Sequence, residues 1–172
     1  MIQIMFWGLS GIAILGALLC ITGRNPVMSA LSLVVVLFAL AGIYVLFDAH
    51  FIAIMQIIVY AGAIMVLFLF VIMLLNVGRP GGATDVKGTI GKFWAVLLGG
   101  ALIAELVALW PLLPGESFRL PAGTMAELSA QRGAVGLIAD PLFRAYLVPF
   151  EITSVLLLAA VVGAVVLAKR KL

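Results

Sequence analysis

Residues 51–76 read FIAIMQIIVYAGAIMVLFLFVIMLLN, a stretch of 26 residues without a formal charge. It is longer than the roughly 20 apolar residues that an α-helix needs to cross a bilayer. Its first half also contains Gln56, Tyr60 and a cluster of small residues, which a helix that only anchors a protein does not need. The stretch therefore predicts a membrane-spanning helix that has a further function.

The composition of the whole chain predicts an integral membrane protein. Hydrophobic residues make up 66% of it and charged residues only 10%, whereas soluble domains carry about 25% charged residues. Five apolar runs are near or above the spanning length; they cover residues 2–21, 27–47, 51–76, 91–113 and 143–168. We expect an all-α fold, an integral membrane bundle of five transmembrane helices in which residues 1–172 form a single domain. The first run lacks the pattern of a signal peptide, so we expect it to be retained.

The distribution of basic residues predicts how the bundle is oriented. Basic residues occur in the first and third connections and at the C-terminus, and are absent from the second connection. They are Arg24, Arg79, Lys87, Lys92, Lys169, Arg170 and Lys171. Because cytoplasmic loops collect Lys and Arg, we expect the N-terminus outside and the C-terminus in the cytoplasm. The fourth connection carries balanced charges: Arg119, Arg132 and Arg144 with Glu116, Glu127 and Asp140.

The connections predict which helices are neighbours. Gly23 is placed to end the first span and Pro26 to begin the second, which predicts a tight hairpin. Only three residues, 48–50, separate the second and third spans, so these two must also be antiparallel neighbours. In the long fourth connection, residues 126–138 could form a short surface helix, although Gly133 and Gly136 disfavour it.

Several classes of chemistry have no support in the sequence. No nucleotide-binding glycine loop, metal-ligand cluster or nucleophilic triad is present. Cys20 is the only cysteine and lies inside the first span, so the chain cannot build a disulfide or a thiolate metal site by itself. We expect no bound metal, no cofactor bound by this chain, no nucleic-acid partner and no catalysis by the chain alone; its surroundings are the lipid bilayer.

Gln56 and Tyr60 are the first candidates for a functional role. They are four residues apart and so lie on one face of a helix, where the amide and the phenol can share hydrogen bonds with water or a neighbouring helix. The alternative is a plain contact between helices, or a tyrosine at the membrane interface. The sequence leaves both readings open.

Gly62, between Ala61 and Ala63, marks the place where an irregularity in the third helix is expected. Kinks and π-bulges occur at glycine and at functional sites. Glycine in a membrane helix also serves close packing alone. The residues by themselves do not decide between these two uses.

Two acidic residues lie within the apolar runs. Glu151 precedes Ser154 by one turn. A helix that begins after Pro141 puts Glu151 near mid-membrane, where it could exchange protons, and one that begins after Pro149 puts it near the outer surface. Glu105 lies in the fourth span, beside small residues that recur every four positions. It is either paired with a group from another helix or another subunit, or protonated and simply packed. The small residues are Gly100, Ala104 and Ala108.

The third span and the entry to the fifth resemble a known family. The segments are Ile57-Ile-Val-Tyr60-Ala-Gly62-Ala-Ile-Met-Val-Leu-Phe-Leu-Phe-Val-Ile-Met and Pro149-Phe-Glu151-Ile-Thr-Ser154, with Asn25-Pro26 at the start of the second span. They are similar to subunit J of bacterial NADH-quinone oxidoreductase, respiratory complex I, whose mitochondrial counterpart is the sixth mitochondrially encoded membrane subunit. The resemblance implies a membrane-arm subunit with five helices and an outside N-terminus.

The resemblance also implies roles for particular residues. It implies a π-bulge in the third helix that forms and relaxes as the helix rotates, coupling quinone reduction in neighbouring subunits to proton translocation. Gly62 would be the hinge, Tyr60 a hydrogen-bonding group near the proton path, and Glu151 an acid at a subunit contact or water chain. The bulge would cover Tyr60, Ala61, Gly62, Ala63, Ile64, Met65 and Val66.

The assembly that the resemblance implies is a translocase in the bacterial cytoplasmic (inner) membrane. It would use FMN, iron-sulfur clusters and quinone, none of them bound by this chain. The expected partners are the other membrane subunits, especially those that flank the quinone site and the first antiporter-like subunit.

Two positions depart from the family pattern, and two other functions are open. Position 56 is Gln, whereas some members carry Glu, so no titrating acid is expected there. Glu105 matches no family pattern. The alternative functions are a self-contained small transporter or antiporter subunit, and a purely structural scaffold of helices.

Overall fold

The computed structural model of the chain describes residues 1–75, 89–109 and 124–169. Every regular element in these three ranges is a helix. The chain divides into two compact units, Met1–Ala122 and Gly123–Leu172. The first unit contains α1 (Ile2–Thr22), α2 (Pro26–Leu46), α3 (His50–Met55), a π-helical segment (Gln56–Ile64), α4 (Met65–Leu75) and α5 (Thr89–Leu109). The second contains α6 (Thr124–Arg144) and α7 (Leu147–Ala168).

Four of the described helices are long and apolar enough to cross a membrane. They are Ile2–Thr22, Pro26–Leu46, His50–Leu75 and Leu147–Ala168. His50–Leu75 joins α3, the π-helical segment and α4 into one helix of 26 residues with a mean hydropathy of 3.0, here called the third span. The apolar part of α5, Val96–Leu109, is shorter, and residues 110–113 of the predicted fourth span lie outside the described residues. The single domain over residues 1–172 stays a prediction.

Every described end of the first three long apolar helices lies within one residue of the predicted apolar runs, and residue 76 lies outside the described residues. The last helix begins later than the predicted run. That span was expected at residue 143, but α6 continues to Arg144 and α7 begins at Leu147. Between them Tyr146 has φ −112° and ψ 27°, and the rings of Phe143 and Phe150 meet edge to face at 5.1 Å. The two helices are thus separate elements joined at a corner.

Helix α6 covers the short surface helix expected over residues 126–138 and extends beyond it. It is interrupted at Gly133, where φ is 73° and ψ is 153°, a conformation that essentially only glycine adopts. A helix therefore covers the predicted residues, and Gly133 interrupts it. Near its end Asp140 accepts from Arg144 Nε at 2.7 Å and lies 3.5 Å from Arg132 Nη1.

The turn between α1 and α2 has the capping groups that its sequence predicts. The side chain of Asn25 accepts a hydrogen bond from the Val27 amide at 2.9 Å, and Pro26 is the first residue of α2. Gly23 follows α1 with φ −63° and ψ 126°, so it is extended and not left-handed. A Cβ at Gly23 would clash with the Ser29 hydroxyl and lie 2.9 Å from the Leu19 carbonyl oxygen. Glycine is required there for space.

Helix α2 packs on α1 and on all three parts of the third span. Its buried side chains are small: Ala30, Ala39 and Ala41. Close approach to α1 depends on Gly16, the buried residue of that helix, because a Cβ there would lie 2.8 Å from Val36 Cγ2. Lipid tails are as apolar as leucine, so helices associate in a bilayer mainly by such close packing.

The corner between α2 and α3 is held by a Schellman pattern of hydrogen bonds. The Asp48 amide donates to the Val45 carbonyl at 3.1 Å, and the Ala49 amide donates to the Tyr44 carbonyl at 3.0 Å. Asp48 has φ 57°, the left-handed conformation that this pattern requires and that aspartate tolerates better than most residues. The corner fixes the third span against α2 at its N-terminal end.

We expect Gly16→Val to weaken the α1–α2 hairpin. The new side chain meets Val36 and the Ser32 carbonyl oxygen, which would lie 3.3 Å from its Cβ, so overpacking should cost about 2 kcal/mol of unfolding free energy. SDS titration of the purified chain in bicelles measures the loss. Gly8→Val is the matched control, because a Cβ at Gly8 meets nothing within 4 Å. The double variant Gly16→Val with Val36→Ala should recover part of the lost unfolding free energy. Equal losses in Gly16→Val and Gly8→Val, or no recovery in the double variant, would contradict this packing.

Candidate functional site

The middle of the third span is a π-helix of nine residues, Gln56–Ile64. At its C-terminal end the Met65 amide donates to the Tyr60 carbonyl, five residues earlier, which is the π-helical pattern. The stretch expected to bulge ran from Tyr60 to Val66. The segment shares Tyr60 to Ile64 with it but begins four residues earlier, and Met65 and Val66 lie in α4.

The π-helix places three buried residues of the third span on one face. Ala53, Ala61 and Met65 are 2%, 6% and 5% exposed. In a continuous α-helix, which turns about 100° per residue, Ala61 and Met65 would lie about 80° and 120° away from Ala53. A π-helix turns about 80° per residue. With the observed segment, both residues fall within about 40° of Ala53.

This alignment matters because α3, the π-helical segment and α4 all pack on α2. The three residues are the buried ones of the third span, one in each part. Small side chains on both helices permit close approach. An all-α third span would spread the three residues over about 120° of the helix circumference, so π geometry brings them closer to one line facing α2.

Gln56 and Tyr60 both lie in the π-helical segment. Gln56 is half-buried, whereas Tyr60 is 53% exposed. Among the residues that the structure describes, neither side chain has a hydrogen-bond partner. Their polar groups are free to bond with water or with another polypeptide, and both readings drawn from the sequence stay open.

Gly62 is the glycine at the centre of the predicted hinge, and it is exposed. A Cβ added to it would lie 3.2 Å from the Ile57 carbonyl oxygen, five residues earlier. That distance is tighter than an ordinary van der Waals contact. A larger residue at position 62 would press on the backbone of the π-helix itself.

Glu151 belongs to the second unit and is the fifth residue of α7. Four residues at 1.5 Å each put it about 6 Å from the start of that helix. This distance favours the reading in which Glu151 lies near the end of the span, not at its middle. Pro149 lies in the first turn, where its missing amide is tolerated. The Ser154 hydroxyl donates to the Glu151 carbonyl at 2.7 Å, and the carboxylate has no partner among the described residues.

The other sequence candidates are separate from the π-helix. Glu105 lies on α5 and is exposed, without a partner in the described part of the chain. His50 is the first residue of α3. Within the described ranges no three His, Cys, Asp or Glu residues are grouped so that they could hold a metal ion.

Sequence reasoning missed Ala53 and overlooked the packing role of Met65. The twelve positions between Ala53 and Met65 correspond to about 120° around an α-helix, a weak signal that local sequence reasoning did not use. It also missed the left-handed conformation of Asp48. The only sequence signal for it is that the connection between the second and third spans is short.

The chain matches the family model described as NADH-ubiquinone/plastoquinone oxidoreductase chain 6 over residues 16–167. It belongs to this family. It is 37% identical over 163 residues to NADH-quinone oxidoreductase subunit J of Pseudomonas aeruginosa, covering 94% of this chain and 93% of the relative. It is 38% identical over 155 residues to subunit J of Escherichia coli, covering 89% and 79%. The chloroplastic NAD(P)H-quinone oxidoreductase subunit 6 of Chlorokybus atmophyticus is 37% identical over 174 residues, covering 95% and 81%.

Membership of this family agrees with the resemblance drawn from the third span. The matched region contains α2, the whole third span and most of α7, and so includes the π-helical segment and Glu151.

We expect Met65→Ala to destabilise the packing of the third span on α2. The truncation leaves a cavity at a side chain that is 5% exposed, and in lipid the cavity term should dominate, about 1–2 kcal/mol. Unfolding free energy in bicelles is the measurement. Met73→Ala in the same span is the control, because Met73 is 65% exposed and should change stability little. A larger effect of Met73→Ala would show that the assigned face is wrong.

Proposed function

We propose that this chain is a membrane-arm subunit of a proton-translocating NADH:quinone oxidoreductase, and that its third span couples quinone reduction to proton movement by changing between π and α geometry. The relatives in Pseudomonas aeruginosa and Escherichia coli are named as subunits of NADH-quinone oxidoreductase, which supports the assignment to such an assembly. The observation that carries the coupling role is the nine-residue π-helix whose geometry sets the face presented to α2.

A change to α geometry would exchange the residues that face α2. Counting about 100° per residue from Ala53, an all-α third span would turn Tyr60 and Ile64 towards α2. Ala61 and Met65 would turn away. The exchange moves a phenol that is now 53% exposed into a helix interface and back. A polar group that changes its surroundings in this way can open and close a chain of hydrogen bonds for protons.

The residues then have distinct roles in the proposal. Gly62 permits the change of geometry, Tyr60 and Gln56 offer hydrogen bonds along the proton path, and Glu151 meets a neighbouring subunit or a water chain near the end of α7. The redox chemistry belongs to FMN, iron-sulfur clusters and quinone held by other subunits. The partners proposed are the membrane subunits that flank the quinone site and the first antiporter-like subunit.

The proposal includes five membrane spans, with α5 as the fourth. It also includes an outside N-terminus, which the distribution of Lys and Arg supports, and a place in the bacterial inner membrane. A structural scaffold is the second candidate, favoured by the small buried residues on α2. A self-contained transporter would have to move its substrate when the chain is reconstituted alone, and that result would contradict the proposal.

Gly62→Val should slow the assembled enzyme without dissociating it. A β-branched side chain placed 3.2 Å from the Ile57 carbonyl oxygen should disfavour one of the two geometries. We expect proton pumping driven by NADH to fall roughly fivefold or more, with wild-type amounts of the complex on native gels. Gly11→Val is the control, since a Cβ at Gly11 meets nothing within 4 Å. Loss of the complex together with its activity would favour the scaffold instead.

The exchange of faces can be followed with cysteine labelling in a Cys20→Ser background. Met65→Cys should react with a membrane-permeable maleimide faster during turnover with NADH and quinone than at rest, because the change to α geometry exposes position 65. Ala53→Cys should stay unreactive in both states, since it lies before the π-helical segment on the fixed part of the span. Identical labelling of position 65 at rest and in turnover would rule out the proposed change.

A further inference from the structure

The break at Gly133 divides helix α6 into two halves of different composition. The half before the break is polar, and its side chains include Glu127, Gln131 and Arg132. The half after the break, residues 134–144, is here called the apolar half-helix, because Asp140 is its one charge before the last residue. At 1.5 Å per residue it is about 16 Å long. It is therefore apolar but too short to cross a bilayer.

The apolar half-helix has two unlike faces. At about 100° per residue, Ile138 and Leu142 fall within about 60° of Val135, whereas Asp140 and Arg144 lie about 140° and 180° away from it. Val135 is 57% exposed, and Ile138 and Leu142 are half-buried. On the other face Arg144 Nε lies 2.7 Å from the Asp140 carboxylate. An aliphatic face opposite a charged one is the pattern of a helix that lies along a membrane surface.

The chain connection places the end of the apolar half-helix beside a membrane span. Helix α7 begins at Leu147, directly after the corner at Tyr146, and is long and apolar enough to cross a membrane. Tyr146 is 59% exposed, and tyrosine is enriched where a span meets the headgroups. The rings of Phe143 and Phe150, 5.1 Å apart, join the half-helix to the first turn of α7. The half-helix thus adjoins the lipid around that span.

We propose that the apolar half-helix lies in the plane of the membrane interface and inserts Val135, Ile138 and Leu142 among the acyl chains of phospholipids. The charged face then points to water. Arg132, from the polar half of α6, reaches across the break to within 3.5 Å of Asp140, which places the polar half on the same watery side. The break at Gly133, in a conformation that essentially only glycine adopts, is where the chain leaves the membrane surface.

This inference takes α7 as a membrane span and does not depend on a change of geometry in the third span. The occupant of the aliphatic face is the bilayer that α7 crosses, because the half-helix continues directly into that span. An aliphatic face at this depth is stabilised by contact with acyl chains, while the charged face keeps its hydration.

Spin labels on single cysteines measure the depth of each face in the full chain. Val135→Cys, Ile138→Cys and Gly136→Cys are made in the Cys20→Ser background and reconstituted in vesicles of phosphatidylethanolamine and phosphatidylglycerol. Labels at 135 and 138 should lie about 5–10 Å into the boundary between headgroups and acyl chains. Their collision rate with oxygen, relative to that with a water-soluble nickel complex, should be several-fold higher than at 136.

Gly136 is the matched control position. It lies about 100° from Val135 and about 40° from Asp140, and a Cβ there would meet only Arg132 Cβ, at an ordinary 3.6 Å. A label at 136 therefore reports on the charged face of the same half-helix. Equal collision ratios at 135 and 136 would overturn the proposal.

A carboxylate added to one face or the other tests what holds the half-helix in the interface. Val135→Asp should lower the oxygen-to-nickel collision ratio of a label at Ile138 several-fold, because a charge among acyl chains is costly and the half-helix should move towards water. Gly136→Asp should leave that ratio unchanged, since it adds the same charge on the face turned to water. An unchanged ratio in Val135→Asp would contradict the insertion.

Photocross-linking in the native membrane identifies what covers the aliphatic face. Benzoylphenylalanine at Val135 should give an adduct with the mass of a phospholipid, whereas the same probe at Gly136 should give none. The absence of a lipid adduct at 135, or an adduct there with another polypeptide or another part of this chain, would overturn the proposal. These readouts measure contact with lipid, whereas Gly62→Val is judged by rate in an assembled enzyme, so each proposal can fail without the other.

Discussion

Close packing of small residues on α2 is the constraint on which the first unit depends. A bilayer gives little hydrophobic drive for helices to associate, so contact has to come from surfaces that allow backbones to approach. Gly16 provides this on the side of α1, and Ala53 and Ala61 provide it on the side of the third span. The third span meets this constraint over its whole length only because its middle is a π-helix.

Much of the fold follows from local sequence. The lengths of the apolar runs and the turn residues Asn25 and Pro26 give the first spans to within one residue, because these signals act over a few neighbouring positions. The start of α7 was missed because Pro141 lies inside the end of α6, and what separates the two helices is the corner at Tyr146. Proline marks where a helix can begin and does not specify which of several corners the chain uses.

The sequence singles out residues that the structure places in the π-helical segment, but it does not give the bounds of that segment. Tyr60, Gly62 and Gln56 stood out as polar or small residues in an uncharged run, and all three lie in the π-helical segment. Its start at Gln56 and the face shared by Ala53 and Met65 depend on the register between two helices, which no local pattern encodes.

The corner at Asp48 gives the third span one anchored end. Hydrogen bonds to Val45 and Tyr44 fix the entry to α3, and Ala53 is buried one turn later. In the proposed change of geometry, this fixed end would direct the rotation of the π-helical segment towards α4.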